Sequence, residues 1–444
     1  MTTEGAPEAG AGGRAGELLL PVGMRDVLGP EAWTRRGLSR AFLEHVALHG
    51  YDLVSPPTFE RAAVLELGLD EAQRDELLRF VEPESGAVLA LRPDMTPQIA
   101  RVVATRLGAL PGPLRLAYEG AVLRRRLSRS RQRRQMSQAG FELVGVRGPE
   151  GDLEVLSLAA SSLRQLGVER FVVDVGHAAV AGALLAPYEP ARAGALREAL
   201  SRKDEGAVRE LARAPGVAAG AAEALGAIVG LQGGAEVLGE AGRVLGATAA
   251  GPALGELRAL AAAAGELGLG PRLRFDLGEV RGLSYYTGPM FHLFAEGAGV
   301  PVGGGGRYDE LFGRFGAPRP AAGAALDLEA IEQARRASGS EPRRPFRRVA
   351  VAPGPGALAL AEALRARGVG AATGPEGAGL RAFARAQGYE GLLEPEPGGG
   401  WAFERLDTGA RVCQGAGVEG VAARVEAELR GGAASPHQEN ACPP

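Results

Sequence analysis

The sequence predicts an α+β protein whose main domain carries a helical insertion and is followed by a small α/β domain. Three observations lead to this prediction. Residues 115–123 and 136–146 are extended runs joined by a basic connector, which is typical of an antiparallel hairpin with a long loop. Residues 178–268 are rich in alanine, leucine and glycine and repeat helix signals. Beyond residue 348, strand and helix patterns alternate.

The elements follow in order from hydrophobic spacing and from the positions of glycine and proline. Thr96 is predicted to cap the helix that begins at Pro97, and residues 303–309 are predicted to form a glycine-rich turn. In the main domain we expect helices over 31–48, 97–107, 151–167 and 329–337, and strands over 51–54, 88–92, 171–175, 273–277, 285–287, 290–294 and 322–328. In the last domain we expect strands at 349–352 and 392–393 and helices over 356–367 and 380–387.

A chain of 444 residues is too long for one ordinary domain. Shifts in composition mark a linker at Ser338 and a polar C-terminal tail. The predicted organisation is a disordered lead at 1–17, a main domain at 18–337 with its helical insertion at 178–268, a linker at 338–347, a small α/β domain at 348–430 and a flexible tail at 431–444.

Composition excludes several classes of protein. A net charge of −3 gives no overall field that would attract nucleic acid. Cys413 and Cys442 offer no framework of disulfides and no zinc spacing, and the five histidines show no metal spacing or nearby carboxylate cluster. No signal peptide and no membrane-spanning apolar run is apparent. We expect a cytoplasmic protein with reduced thiols and without metal or cofactor.

Four separated segments carry a family resemblance. They are 91–97 (Leu-Arg-Pro-Asp-Met-Thr-Pro), 123–142, 281–288 (Arg-Gly-Leu-Ser-Tyr-Tyr-Thr-Gly) and 303–309 (Gly-Gly-Gly-Gly-Arg-Tyr-Asp). In this order they resemble motifs of histidyl-tRNA synthetase, over about residues 18–335. The chain resembles more closely the synthetase-derived regulatory subunits of ATP phosphoribosyltransferase. The resemblance implies a class II aminoacyl-tRNA synthetase-like fold, in which helices flank an antiparallel sheet.

The resemblance also implies a pocket for histidine. Asp94 and Thr96 match residues that hold the α-amino group, although Asp94 is one methylene shorter than the usual glutamate. Gln138 and Glu142 match residues that face the amino group and the imidazole, and their even spacing places them on one face of a strand. Arg281 matches an arginine that faces the ligand carboxylate. The expected ligand-binding residues are Asp94, Thr96, Arg124, Gln138, Glu142, Arg281, Tyr285, Tyr286 and Tyr308.

The positions that serve ATP in a synthetase depart from the family pattern. Arg124 is present at the motif 2 position that contacts the α-phosphate, but Arg126 replaces the glutamate that contacts adenine. In motif 3, Ala330 replaces the arginine that contacts the γ-phosphate and Asp327 replaces a glycine. Loss of one preorganised charge costs a few kcal/mol of barrier, roughly a hundredfold or more in rate. We therefore expect adenylation to be absent or crippled, and no catalytic residue.

The connector of the predicted hairpin is strongly basic and leaves several roles open. It has no interleaved aromatic residue, which argues against binding of single-stranded RNA. A phosphorylated ligand, a nucleic acid, an acidic protein surface and plain solvation all remain compatible with such a run. Its arginines are Arg124, Arg125, Arg126, Arg129, Arg131, Arg133 and Arg134.

The resemblance implies a regulatory protein rather than an enzyme. Its expected partner is the short-form catalytic subunit of ATP phosphoribosyltransferase, which performs the first step of histidine biosynthesis and carries the activity. Histidine is the expected regulatory ligand. The implied assembly is a homodimer within a hetero-octamer, with no membrane, and the pattern argues against tRNA as a partner. The alternatives are a divergent but active histidyl-tRNA synthetase and a synthetase paralogue that binds RNA or another protein.

Overall fold

The computed structural model describes residues 19–125, 133–214, 217–280, 285–415 and 417–431. Contacts divide the chain between Pro342 and Arg343 into two compact units, and this division falls within the segment 338–347. The finer domain limits stay a prediction. None of the helices in the described part of the chain has the length and apolar character needed to span a membrane.

The first unit is built on one large sheet with helices before, within and after it. Its helices are α1 (Gly29–Leu48), α2 (Ala62–Leu67), α3 (Glu71–Asp75), α4 (Thr96–Val102), α5 (Glu150–Gln165), α6 (Ala178–Leu185), α7 (Pro190–Ser201), α8 (Glu205–Ala212), α9 (Ala219–Ala227), α10 (Val237–Leu245), α11 (Gly251–Glu266) and α12 (Leu328–Ala337). Its strands are β1 (Asp52–Leu53), β2 (Phe59–Arg61), β3 (Leu78–Val81), β4 (Val88–Leu91), β5 (Leu114–Leu123), β6 (Gln135–Val144), β7 (Phe171–His177), β8 (Gln232–Gly233), β9 (Leu273–Asp276), β10 (Pro289–Ala295), β11 (Gly303–Arg307) and β12 (Ala321–Asp327).

Nine of these strands form the large sheet, in the order β1-β5-β6-β12-β11-β10-β7-β9-β8. Most neighbours are antiparallel, and the predicted hairpin is its longest pairing, with Leu114 opposite Val144 and Leu123 opposite Gln135. Strands β2, β4 and β3 form a small separate sheet. The predicted α+β fold with an antiparallel central sheet is confirmed.

Helices α1, α5 and α12 pack against one face of the large sheet, whereas on the other face α4 covers part of β5. Phe141 on β6 is fully buried against α1, where its ring lies 6.4 Å from that of Phe42 and 5.2 Å from that of Tyr51. Neighbouring residues of a strand point to opposite faces, so Glu142 points away from this apolar layer. The rigid packing behind β6 therefore fixes the position of a carboxyl group on the opposite face.

Three local predictions of structure are wrong. Thr96 does not cap a helix: α4 begins at Thr96 itself after Met95, and its first turn has no side-chain cap. Residues 303–307 form strand β11 rather than a turn, because β10 and β12 pair with both of its edges. Tyr285 and its two successors lie in a turn and irregular chain rather than in a strand.

The helical insertion contains α6 to α11, together with the two-residue strand β8 that was not expected there. Strand β8 pairs with β9 at the edge of the large sheet, so the insertion is joined to the sheet by backbone hydrogen bonds. Buried leucines such as Leu196, Leu225, Leu254 and Leu257 fill its interior.

The second unit is a five-stranded sheet with helices. Its elements are β13 (Arg348–Val351), α13 (Ala357–Ala366), β14 (Gly370–Thr373), α14 (Gly379–Ala386), β15 (Gly391–Pro395), β16 (Trp401–Arg405), β17 (Arg411–Gly415) and α15 (Val418–Gly431). The strand order is β14-β13-β15-β16-β17, with the first three parallel and the last two antiparallel. Its core includes Val349, Leu360, Leu393, Phe403 and Val425.

Candidate functional site

A cavity of about 690 Å³ lies on the face of the large sheet opposite to α1, beside the start of α4. This volume lies in the usual range of ligand pockets, about 300–1,000 Å³. Its floor is backbone, because the strands beneath it contribute Gly303, Gly304, Gly305 and Gly323. Side chains from the segment before α4, from β6 and from residues 285–308 form the walls.

One wall holds a connected set of hydrogen-bond acceptors and donors. The Gln138 amide nitrogen donates to Asp94 Oδ1 at 3.0 Å, and the backbone N–H of Met95 donates to the same oxygen at 2.7 Å. The other oxygen, Oδ2, lies 3.5 Å from the Tyr285 hydroxyl. Asp94 is buried, with 7% of its surface exposed. A carboxylate held in this way is a suitable partner for a ligand ammonium group.

Glu142 lies at the base of this wall and is fully buried. Its Oε1 accepts hydrogen bonds from the Thr96 hydroxyl at 2.7 Å and from the Tyr118 hydroxyl at 3.1 Å. Its Oε2 has no hydrogen-bond partner among the described residues. Burial raises the pKa of Glu142 well above 4.5, although the two hydroxyl donors act in the opposite direction. The second oxygen therefore offers an unused hydrogen bond from a group that readily keeps its proton.

Tyr308 presents a second unused polar atom at the same place. Only 2% of its surface is exposed, and its hydroxyl has no hydrogen-bond partner within the described parts of the chain. A Cβ added at Gly323 would overlap both this hydroxyl and Glu142 Oε2, so the two atoms face one point above the glycine. The ring of Tyr308 lies 5.3 Å from that of Tyr285 and 6.0 Å from that of Tyr286, which encloses the point with aromatic surface.

The other end of the cavity is where a synthetase would hold the phosphates of ATP. Arg124 lines it and donates weakly to the Pro93 carbonyl at 3.4 Å. Arg133 from the basic connector also lines it, but its guanidinium is paired with Glu329. Asp327 lines this end and caps α12 by accepting from the N–H groups of Glu329 and Ala330. Ala330 is itself buried, with 2% of its surface exposed.

The structure brings most of the predicted ligand-binding residues together. Glu142 lies directly behind Thr96, whose hydroxyl donates to it. Arg281 and Arg126 lie outside the described residues. The roles of these residues in binding stay predictions. The predicted residues that line the cavity are Asp94, Thr96, Arg124, Gln138, Tyr285, Tyr286 and Tyr308.

Sequence reasoning missed four residues that shape the site. They are Tyr118, which holds Glu142; Gly323, which leaves room above it; His292, which lines the cavity from β10; and Arg133, which was counted only as part of the basic connector. A usable signal existed for Tyr118. It lies on the strand that pairs with β6, directly opposite Gly140, and only a glycine leaves space for its ring there.

The structure also contains a group of three carboxylates that the sequence analysis did not identify. Asp174, Asp276 and Glu279 have carboxylate oxygens within 4.8 Å of one another, in a group that has the donor chemistry for a metal ion. Spacing along the chain did not reveal it, because β7 and β9 pair in parallel across about a hundred residues. The Lys203 ammonium already contacts both oxygens of Asp276, each at 2.7 Å.

Comparison with known proteins gives the family. The family model described as histidyl-tRNA synthetase matches residues 23–331. A protein from Anaeromyxobacter sp. (strain Fw109-5) named ATP phosphoribosyltransferase regulatory subunit is 43% identical over 333 residues, which cover 74% of this chain and 97% of that protein. A protein of the same name from Moorella thermoacetica is 40% identical over 320 residues, which cover 72% and 82% respectively.

Two solved structures have the same fold. An ATP phosphoribosyltransferase regulatory subunit/histidyl-tRNA synthetase from Bacillus halodurans superposes with a TM-score of 0.74 at 28% identity, covering 85% of this chain and 98% of that one. A histidyl-tRNA synthetase from Nostoc sp. superposes with a TM-score of 0.73 at 20% identity, covering 93% and 99% respectively, and supports the fold alone. The chain belongs to the family of ATP phosphoribosyltransferase regulatory subunits, which share the fold of histidyl-tRNA synthetase.

Proposed function

We propose that this chain binds histidine in the cavity and regulates a separate catalytic subunit of ATP phosphoribosyltransferase. The chain acts as a non-catalytic regulatory subunit in histidine biosynthesis. Its partner is the short-form catalytic subunit, which carries the transferase activity on ATP and phosphoribosyl pyrophosphate. A homodimer of this chain joins catalytic subunits in a hetero-octamer. The names of the relatives support the regulatory role, and the pocket supports the identity of the ligand.

The observation that carries the ligand assignment is the pair of unused polar atoms above Gly323. A neutral imidazole ring has one nitrogen that donates a hydrogen bond and one that accepts. A protonated Glu142 can transfer its proton from Oε2 to the accepting nitrogen, which leaves a carboxylate–imidazolium hydrogen bond, and the Tyr308 hydroxyl can accept from the other nitrogen. Asp94 then takes the ligand ammonium, and the resemblance assigns the carboxylate to Arg281. The ring and the ammonium group of histidine each meet complementary groups at the wall of the cavity.

The reaction end of the cavity supports a role without catalysis. Adenylation requires cations that neutralise the leaving pyrophosphate. Asp327 adds negative charge there, and the pairing of Arg133 with Glu329 compensates the cation that the connector brings in. Ala330 offers no replacement for the missing motif 3 arginine. A divergent synthetase is therefore not favoured.

A paired assay tests the proposal. The pure chain is incubated with histidine, ATP and labelled pyrophosphate, and histidine binding is measured by calorimetry on the same preparation. We expect binding without pyrophosphate exchange. A short-form catalytic subunit is then added, and we expect phosphoribosyltransferase activity that depends on this chain and decreases with histidine. Exchange at the rate of a synthetase would refute the regulatory role, and absence of histidine binding would refute the ligand.

A further inference from the structure

Lys203 is the only lysine in the sequence, which otherwise uses arginine for its basic side chains. It lies in the turn between α7 and α8. Its φ of +57° makes it the only residue other than glycine with a positive φ in the described part of the chain. The position just after a helix end in this left-handed conformation is usually glycine. The lysine side chain makes contacts that a glycine could not make.

The ammonium group of Lys203 binds the last residue of a sheet strand. It contacts both oxygens of Asp276 at 2.7 Å, and 6% of the surface of Asp276 is exposed. Asp276 Oδ1 also accepts from the N–H of Gly278 at 3.0 Å. A Cβ at Gly278 would lie 2.8 Å from the Ile228 carbonyl oxygen and 3.4 Å from Lys203 Nζ. The insertion thus holds the end of β9 tightly, and Lys203 provides the only cation that the structure shows in contact with Asp276.

Asp276 is linked in turn to the wall of the ligand cavity. Its carboxylate belongs to the cluster with Asp174 and Glu279. Asp174 on β7 lies directly opposite His292 on β10, and His292 lines the cavity. Burial and the two neighbouring carboxylates raise the pKa of Asp174, while His292 and Lys203 lower it. Removal of the ammonium would leave three close carboxylates without this compensation, and the side chains beside His292 would have to rearrange or take up a proton.

We propose that Lys203 is a positioning residue for the ligand site, which holds Asp276, Asp174 and through them the His292 wall of the cavity in place. The affinity for histidine then depends on how the helical insertion packs against the sheet. The inference rests on the proposed histidine site and adds a means of regulation to it. A partner that moves the turn between α7 and α8 would change histidine affinity without touching the cavity.

The decisive variant is Lys203→Gly, because glycine accepts the positive φ without strain and removes only the side chain. Lys203→Arg retains a cation and serves as the conservative rescue. Arg202→Met is the matched control, because Arg202 directly precedes Lys203 and pairs with Glu198 at the exposed end of α7. Histidine affinity of the full chain is measured by calorimetry well below each melting temperature. Hydrogen exchange of β9 and β10 is measured without ligand.

We expect Lys203→Gly to weaken histidine binding by at least about fivefold, a typical lower bound for coupling between sites. Lys203→Arg should recover most of the affinity, and Arg202→Met should bind as the wild type does. Asp276→Asn should weaken binding similarly, and the double variant should add little. Exchange of β9 and β10 should increase in Lys203→Gly but not in Lys203→Arg or Arg202→Met.

Two outcomes overturn the inference. One is wild-type histidine affinity in Lys203→Gly, and the other is an equal loss of affinity in Arg202→Met. If the wild-type chain itself binds no histidine, the proposed function is refuted instead. Hydrogen exchange then decides on Lys203, because unchanged exchange in Lys203→Gly would show that it does not hold the wall in place.

Discussion

Replacement of Glu142 by glutamine changes one atom of the candidate pocket and tests the imidazole assignment. The amide oxygen would keep the hydrogen bonds that Oε1 accepts from Thr96 and Tyr118, so the NH₂ group would take the place of Oε2. An NH₂ group can only donate, so the carboxyl group's ability to share or give up a proton is lost. A hydrogen bond to a charged group contributes about 1.5–3 kcal/mol and a neutral one about 0.5–1.5 kcal/mol, so we expect a loss of about 1–1.5 kcal/mol, roughly 5- to 13-fold in affinity.

Calorimetric titration of histidine into the wild type and Glu142→Gln gives this ratio directly. The melting temperature should change little, because both hydroxyl donors keep an acceptor. Glu154→Gln is a matched control: Glu154 also accepts from a tyrosine hydroxyl, that of Tyr51 at 3.0 Å. Its partners Tyr51 and Arg115 do not line the cavity, whereas Thr96, the partner of Glu142, does. Activation of the catalytic partner should persist in both variants. An affinity for histidine within twofold of the wild type in Glu142→Gln would refute the role of Glu142 at the imidazole.

Three further expectations follow from the structure. Gly323→Ala should abolish histidine binding in calorimetry, because its methyl group would overlap both unused polar atoms of the pocket. The control Gly37→Ala, whose methyl group meets no atom within 4 Å, should bind normally. Histidine binding by Gly323→Ala would show that the imidazole site is assigned to the wrong place. Burial raises the pKa of Asp152 from 3.8 to about 6, so the folded chain binds this proton more tightly than the unfolded chain and loses stability as the pH rises through that interval. This loss in the free energy of unfolding is at most about 3 kcal/mol, at about 1.4 kcal/mol for each pH unit. Asp152→Asn should remove it when unfolding by urea is measured across this pH range. The same dependence of stability on pH in the variant as in the wild type would contradict the prediction. A chain that ends at Pro342 should fold and bind histidine as the full chain does, because the cavity lies within the first unit and that unit has its own core; a large loss of affinity in calorimetry would show that the second unit contributes.

Hydrophobic periodicity predicted the fold where local pattern and tertiary packing agree. The hairpin of β5 and β6 and the helices around it followed from spacing alone, because each buries one regular face. Strand β11 did not, since four consecutive glycines have low strand propensity. Its conformation comes from pairing with β10 and β12, which contribute the partners that the local sequence lacks. Strands β16 and β17 were also missed, although Trp401 and Phe403 of β16 have high strand propensity.

The sequence predicted which residues form the site, but it did not predict the hydrogen bonds that connect them. The resemblance identified Asp94 and Glu142, yet their hydrogen bonds join parts of the chain far apart in sequence. Thr96 shows the difference: a threonine before a proline-initiated helix suggests a cap, but its hydroxyl donates to Glu142, 46 residues further on. Tertiary contact overrode local preference there. Contacts of this kind require the register of the sheet, which no single segment contains.

Because the sequence contains one lysine, Lys203 is its only side-chain primary amine and can be labelled selectively. Reagents that acylate primary amines can modify only Lys203 and the α-amino group at the chain terminus, since arginine does not react with them. In the folded chain the amine contacts both oxygens of Asp276, and acylation requires that the amine leave this contact. The rate of labelling at this one position therefore reports how often the insertion separates from the edge of the sheet. A single mass-spectrometric peak thus monitors that motion in this chain without an introduced probe.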